Sequence, residues 1–143
     1  MSHKIASVIT IDGLASSGKT SISRKLSKKL GYYFLDSGIL YRAVAYICLT
    51  ESLDQDTNLL IANLKNNLEV VPEKKKHYTV NYKGNDLSDY LYNEEIGVHA
   101  SIVSQKPEIR EYLMRLQHNC VEPPGLVANG RDMGSKVFPD ADF

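Results

Sequence analysis

Cysteine is scarce in this chain. Cys48 and Cys120 are its two cysteines; they form no CxxC pair, and neither has a histidine at ligand spacing. The four histidines, His3, His77, His99 and His118, are scattered, a pattern that does not spell a structural zinc site. A disulfide framework is excluded, and two free thiols in a reducing compartment are expected. Net charge is absent too, with 17 basic residues against 17 acidic. A dedicated nucleic-acid binder carries a basic excess, so no nucleic-acid partner is expected. Any anionic partner must be held by local geometry rather than by a general field. The apolar run at residues 6–11 stops at Asp12-Gly13, too short for a secretory h-region or a membrane span. The expectation is a soluble, cytoplasmic protein with no membrane partner. There is no internal repeat and no low-complexity tract.

What remains is an ordinary globular composition. With 143 residues, 43% of them hydrophobic and 24% charged, one compact domain with its own core is expected. Residues 6–11 are apolar and β-branched and read as a buried parallel strand. Residues 18–30 carry Ile22, Leu26 and Leu30 at fourfold spacing, an amphipathic helix that Gly31 closes as its C′ residue. A second short strand is expected over 32–35, and Asp36-Ser37 caps a helix to about Thr50. Further on, the patterns predict a helix over 54–67 and strands over 68–71 and 77–82. The tip between those strands carries Lys74-Lys75-Lys76 and reads as solvated; Lys83-Gly84-Asn85-Asp86 reads as a turn. Helices are predicted over 94–105 and from Pro107 to about Val121. Pro123-Pro124-Gly125 breaks the last, and Leu126-Val127-Ala128 makes a short strand. That order of elements argues an α/β fold with an inserted subdomain.

The sharpest motif is Gly13-Leu14-Ala15-Ser16-Ser17-Gly18-Lys19-Thr20, which matches G-x-x-x-x-G-K-[ST]. Average residue usage makes such a match a roughly 0.5% event in a chain this long. It follows a predicted strand and opens a predicted helix, the arrangement a phosphate-binding loop requires. Gly13 and Gly18 permit backbone angles that let successive N–H groups turn inward. With the helix N-terminus they form a nest for phosphates. Lys19 brings an ammonium to the β/γ oxygens, and the Thr20 hydroxyl can enter the shell of a Mg²⁺ ion. ATP with Mg²⁺ is the implied ligand pair. Such loops serve kinases, GTPases, ATPases and motors alike, and a GTPase N-K-x-D motif is not present. The acceptor must be sought elsewhere.

Three clusters offer it: Asp36-Ser37-Gly38 with Tyr41-Arg42; Ser101 with Arg110 and Gln117; and Gly130-Arg131-Asp132-Met133-Gly134 followed by Val137-Phe138-Pro139-Asp140-Ala141. Singly, each has a plain structural reading as a helix cap, surface arginines or a turn.

In order along the chain, phosphate loop, D-S-G-x-x-Y-R, a helix with Ser and Arg, then G-R-D-M-G-x-x-V-F-P-D-A, they resemble bacterial cytidylate kinases. The resemblance covers essentially the whole chain. It implies a P-loop NTPase fold, a three-layer α/β/α arrangement with a parallel sheet core and an inserted nucleoside-monophosphate-binding subdomain. On that scheme residues 1–143 are one kinase domain, with core segments 1–36 and 122–143 and the acceptor insert at about 37–121. It implies the reaction ATP + (d)CMP → ADP + (d)CDP, carried out by a monomer with small-molecule substrates. Residues 13–21, ending in Ser21, would bind ATP. Ser37, Arg42, Ser101, Arg110, Arg131 and Asp132 would bind CMP, with Arg42 and Arg131 on its phosphate. Lys19, Arg42 and Arg131 would supply the catalytic positive charge. A carboxylate at Asp132 can accept from cytosine N4, whereas uracil would set an acceptor against it.

The chain also departs from that pattern. Family members continue after F-P-D-A through further strands, an arginine-rich lid and a last helix, so the sequence reads as C-terminally incomplete. Weak activity, and a bare apolar edge beside the first strand, are expected. Asn129 stands where the family has an acid that could help order Mg²⁺; Ser135 replaces a threonine, and Lys136 adds a charge. The alternative readings are a small P-loop kinase for UMP or AMP, or a non-catalytic nucleotide-binding remnant.

Overall fold

The computed structural model describes residues 7–13, 19–53, 55–131 and 133–143. They fall into two compact units. The first comprises Met1–Ser37, Pro72–Tyr78 and Gln117–Phe143, the second Gly38–Val71 and Thr79–Leu116.

The first unit is built on a parallel three-stranded sheet of order β1-β6-β2. Its strands are β1 (Ser7–Asp12), β2 (Tyr33–Asp36) and β6 (Gly125–Gly130). β6 lies between the other two, with Ile9 opposite Val127 and Phe34 opposite the same Val127. A central parallel strand has no wet face, and every residue of β6 is buried. Close packing has its mark at Gly125, where an added Cβ would fall 2.5 Å from the Tyr32 ring.

Helix α1 (Lys19–Leu30) follows β1. It ends as its glycine predicts. Gly31 has φ 69°, its N–H donates to Lys28 O at 3.3 Å, and Tyr32 N–H donates to Ser27 O at 2.9 Å. These are the two bonds of a Schellman cap. The face α1 buries is not the predicted one. Ile22 and Leu30 are 60% and 42% exposed, whereas Ser23 and Ser27 are buried. Small side chains let the helix axis approach the sheet, and Ser23 Oγ donates to the fully buried Asn129 Oδ1 at 3.4 Å. Periodicity marked an apolar stripe, but a hydrogen bond and close approach decide which stripe turns inward.

The other edge of β1 is not bare. Val8 N–H donates to Asp142 Oδ2 at 2.9 Å, Asp142 N–H donates to Val8 O at 2.8 Å, and Thr10 N–H donates to Phe143 O at 2.9 Å. Unpaired strand amides take what partners lie near, and the last two residues supply them.

In the second unit, α2 (Ser37–Thr50), α3 (Thr57–Asn67), α4 (Glu94–Val103) and α5 (Pro107–His118) accompany a sheet of order β3-β4-β5. α2 contributes Ser37 to the first unit, and α5 contributes Gln117 and His118. Strand β3 is Leu68–Pro72, β4 is Tyr78–Tyr82 and β5 is Asn85–Asp86. The predicted turn at 83–86 is thus two residues long: Lys83-Gly84 turn, and Asn85–Asp86 pair antiparallel with β4. The predicted helix over 54–67 starts later, at Thr57, because Asp56 caps it by accepting from Leu59 N–H at 3.1 Å. Asn93 caps α4 in the same way, accepting from Ile96 N–H at 2.8 Å. Leu40, Val44, Ile47, Leu60, Leu64, Leu91, Ile109 and Leu113 are buried in this unit.

Neither cysteine is in a disulfide and both are buried, as the sequence led one to expect. Burial, with the charge of Glu122 adding to it, pushes the Cys120 thiol up to about 12.

Candidate active site

In the first unit the predicted elements meet at the C-terminal ends of the parallel strands, where α/β sheets bind ligands. Gly13 follows β1 directly, and its N–H donates to Gly130 O at 3.3 Å, at the end of β6. The first cradle residue is therefore tied to the strand that leads into Gly130-Arg131-Asp132. At Gly130 a Cβ would lie 2.8 Å from Ser37 Cβ and 2.9 Å from Met133 Sδ. Glycine there allows the buried Ser37 to sit against the start of the G-R-D segment. Arg131 is exposed.

After this turn the chain forms one π-helical turn, Met133–Val137. Phe138 N–H closes an i→i+5 bond to Met133 O at 2.6 Å. Asp12 fixes its start: one carboxylate oxygen accepts from Met133 N–H, and the other from Gly134 N–H at 3.1 Å. Gly134 leaves room for this, since a Cβ would come 3.3 Å from Asp12 Oδ2. Asp12 was not among the predicted site residues. Its place at a strand end before the glycine loop is visible in the sequence, but its partners lie 121 and 122 residues away, and no spacing reports that.

Lys19 and Thr20 open α1. No acidic residue stands in the first turn of that helix, so its N-terminal amides keep their positive end for an anion. The side chains of Lys19 and Thr20, together with Leu14, Ala15, Ser16, Ser17, Gly18 and Asp132, lie outside the described residues. Ser21 is exposed on α1. Asn129, where the family pattern has an acid, is fully buried between β1 and β2; a neutral amide fits such a position without the penalty of an enclosed charge.

The second unit carries the remaining predicted residues. Arg42 on α2 is held at three points. Its Nη1 donates to Leu91 O at 2.9 Å, its guanidinium lies 5.8 Å from the Tyr92 ring centroid, and it packs on Gly97. A Cβ at that glycine would meet Nη2 at 3.2 Å and Nη1 at 3.4 Å. A guanidinium has five donor hydrogens, so the carbonyl leaves most of the fork for a ligand. Gly97 was missed by the sequence reading; a glycine inside a helix is the one signal it gave. Ser101 is exposed on α4, with its hydroxyl donating to Val98 O at 2.8 Å. Arg110 is exposed on α5.

A parallel sheet whose first strand runs through a glycine into a helix, with that glycine bonded to the neighbouring strand end, is the core of a P-loop kinase fold. The comparisons narrow the class. The chain belongs to the cytidylate kinase family, whose profile matches residues 9–143. A cytidylate kinase of Azotobacter vinelandii is 43% identical over 137 residues, covering 94% of this chain and 60% of the relative. One of Pseudomonas fluorescens is 43% identical over 141 residues, covering 95% and 61%. A third, from Bdellovibrio bacteriovorus, is 41% identical, covering 94% and 63%. The chain thus spans about three-fifths of the length of these relatives.

Proposed function

We propose that the protein transfers the terminal phosphoryl group of ATP to the phosphate of CMP or dCMP. The observation that carries this is the bond between Gly13 and Gly130. It ties the residue that opens the G-x-x-x-x-G-K-T motif to the strand end that leads into Arg131 and Asp132, which supports reading the two motifs together. The motif at residues 13–20 takes the triphosphate, with Lys19 on its outer oxygens. Thr20 offers a hydroxyl to Mg²⁺, which neutralises phosphate charge when bound. Arg42 and Arg131 hold the phosphate of CMP. Ser37 steadies the same nucleotide, and Ser101, Arg110 and Asp132 read the base.

This division suits phosphoryl transfer, which needs positioned reactants and charge neutralisation more than covalent help. The acceptor is itself an anion, so no general base is required. Cytosine offers an N4 donor to Asp132 and N3 and O2 acceptors to Arg110. Uracil would face Asp132 with a second acceptor, a mismatch of about 1–3 kcal/mol. The expected selectivity is roughly tenfold to a hundredfold.

The test is a coupled phosphotransfer assay with CMP, dCMP, UMP and AMP as acceptors at fixed ATP. CMP and dCMP should lead, and Asp132→Asn should narrow the gap to UMP. Equal use of CMP and UMP by the parent protein would overturn the base-reading assignment.

A further inference from the structure

A second feature of the first unit lies one turn beyond the cradle, on the outer face of α1. A groove of about 570 Å³ runs from Ser21 to Gly31 and is walled on its other side by the β3–β4 tip. Arg24, Lys25 and Lys28 line it from the helix, and Lys75, Lys76 and His77 from the tip. Among the described residues no carboxylate lines it. In a chain with no net charge, that is a marked local segregation of positive charge.

The walls are built rather than incidental. Lys74 and Lys75 of the lysine tip are exposed, as expected, and its backbone is pinned beside β2. Phe34 N–H donates to Lys76 O at 2.9 Å, Glu73 N–H to His77 O at 2.8 Å, and Lys76 N–H to Glu73 O at 3.0 Å. Lys76 adopts φ 68° to make the turn. Two of the cations are seated on rings: Arg24 Cζ lies 4.9 Å from the Phe34 centroid and Lys76 Nζ 4.7 Å from that of Tyr33. Such seating limits side-chain freedom before a ligand arrives. Lys25 and Lys28 fall on one helical face, giving a line of cations along the groove.

We propose that this groove is a second anion site, distinct from the cradle, and that it takes a small polyphosphate. The volume suits a small ligand. One phosphate brings at most about two negative charges, too few for this many cations, so a ligand with several phosphoryl groups matches best. A single-stranded nucleic acid would need rings free for its bases to stack on. Here Phe34 is buried beneath Arg24, Tyr33 is covered by Lys76, and Tyr32 is packed where a Gly125 side chain would be.

Titration calorimetry of the 143-residue chain with inorganic triphosphate tests this. Lys19→Ala should remove the cradle and leave a groove site whose affinity falls steeply with added salt. The triple change Lys25→Gln, Lys28→Gln, Lys75→Gln alters exposed side chains only. It should leave the thermal melt unchanged and weaken the surviving site by about tenfold or more. Should the triple variant fold poorly, each single change should still weaken the site by about two- to threefold. Triphosphate binding that vanishes with Lys19→Ala, or that is indifferent to the three lysines, would overturn the proposal. So would tighter binding of an oligonucleotide of about 16 residues through the same lysines.

Discussion

Gly130 shows how single residues hold the site together. Its missing side chain is what brings Ser37 and Met133 within contact. Gly130→Ala should destabilise the protein by about 1–3 kcal/mol, because Ser37 Cβ is fixed to the backbone and the buried Met133 side chain must repack. A denaturant melt measures this. Asp12 offers a cleaner chemical test. Asp12→Asn keeps the shape but sets an amide nitrogen against one of two backbone N–H donors. A loss of about 1–2 kcal/mol is expected, since charge-assisted bonds are the stronger kind and this one is exposed. The thiols report on the same scale. Burial holds Cys120 in its neutral form up to about pH 12, and the nucleophile is the thiolate. Iodoacetamide at pH 8 should therefore leave both cysteines of the native chain unmodified and label both on unfolding. Fast labelling of the native chain would contradict the burial.

At the scale of elements, α1 carries the clearest lesson. Residues 18–30 were legible as a helix, down to the glycine that ends it. Its orientation was not legible, because the apolar stripe of Ile22 and Leu30 is exposed. Ser23 and Ser27 are buried instead, and Ser23 bonds Asn129, 106 residues away. Ile22→Gln should consequently change stability by no more than about 0.5 kcal/mol, as an exposed substitution does. Ser23→Leu should cost about 1–3 kcal/mol by overpacking the helix against β6. The reverse ranking in thermal melts would mean that periodicity had chosen the face after all. Whereas β5 fell within the stretch read as a turn, the helices of the second unit and its strands β3 and β4 were likewise legible within a few residues. The π-helical turn after Asp132 was not, since it depends on carboxylate bonds from the far strand β1. Residues 13–20 and 130–134 stood out in the sequence as motifs. Asp12, which holds the backbone of Met133 and Gly134, and Gly97, on which Arg42 packs, left no pattern that spacing reports.

For the whole molecule, alkaline pH is a further probe. The folded chain raises Cys120 from 9.0 to about 12 and Tyr112 from 10.0 to about 12, in both cases chiefly by burial. Burial raises Tyr78 as well, which donates its hydroxyl hydrogen to Cys120 O. An acid held above its unfolded value stabilises the fold fully below that unfolded value, and the contribution is lost as pH climbs toward the folded one. Stability should thus be level up to about pH 9 and fall between about pH 9 and pH 12. Cys120→Ser should soften the first part of that fall, which chemical denaturation at stepped pH would measure.

The central proposal is that the protein binds ATP through the motif at residues 13–20 and reads cytosine through Asp132. Calorimetric titration of the chain with CMP and UMP in the presence of Mg²⁺ and a non-hydrolysable ATP analogue tests it most directly. The account predicts that CMP binds at least about tenfold more tightly than UMP, and that the difference collapses in Asp132→Asn. Equal affinity for the two nucleotides, or a preference for CMP that survives the loss of that carboxylate, would contradict it.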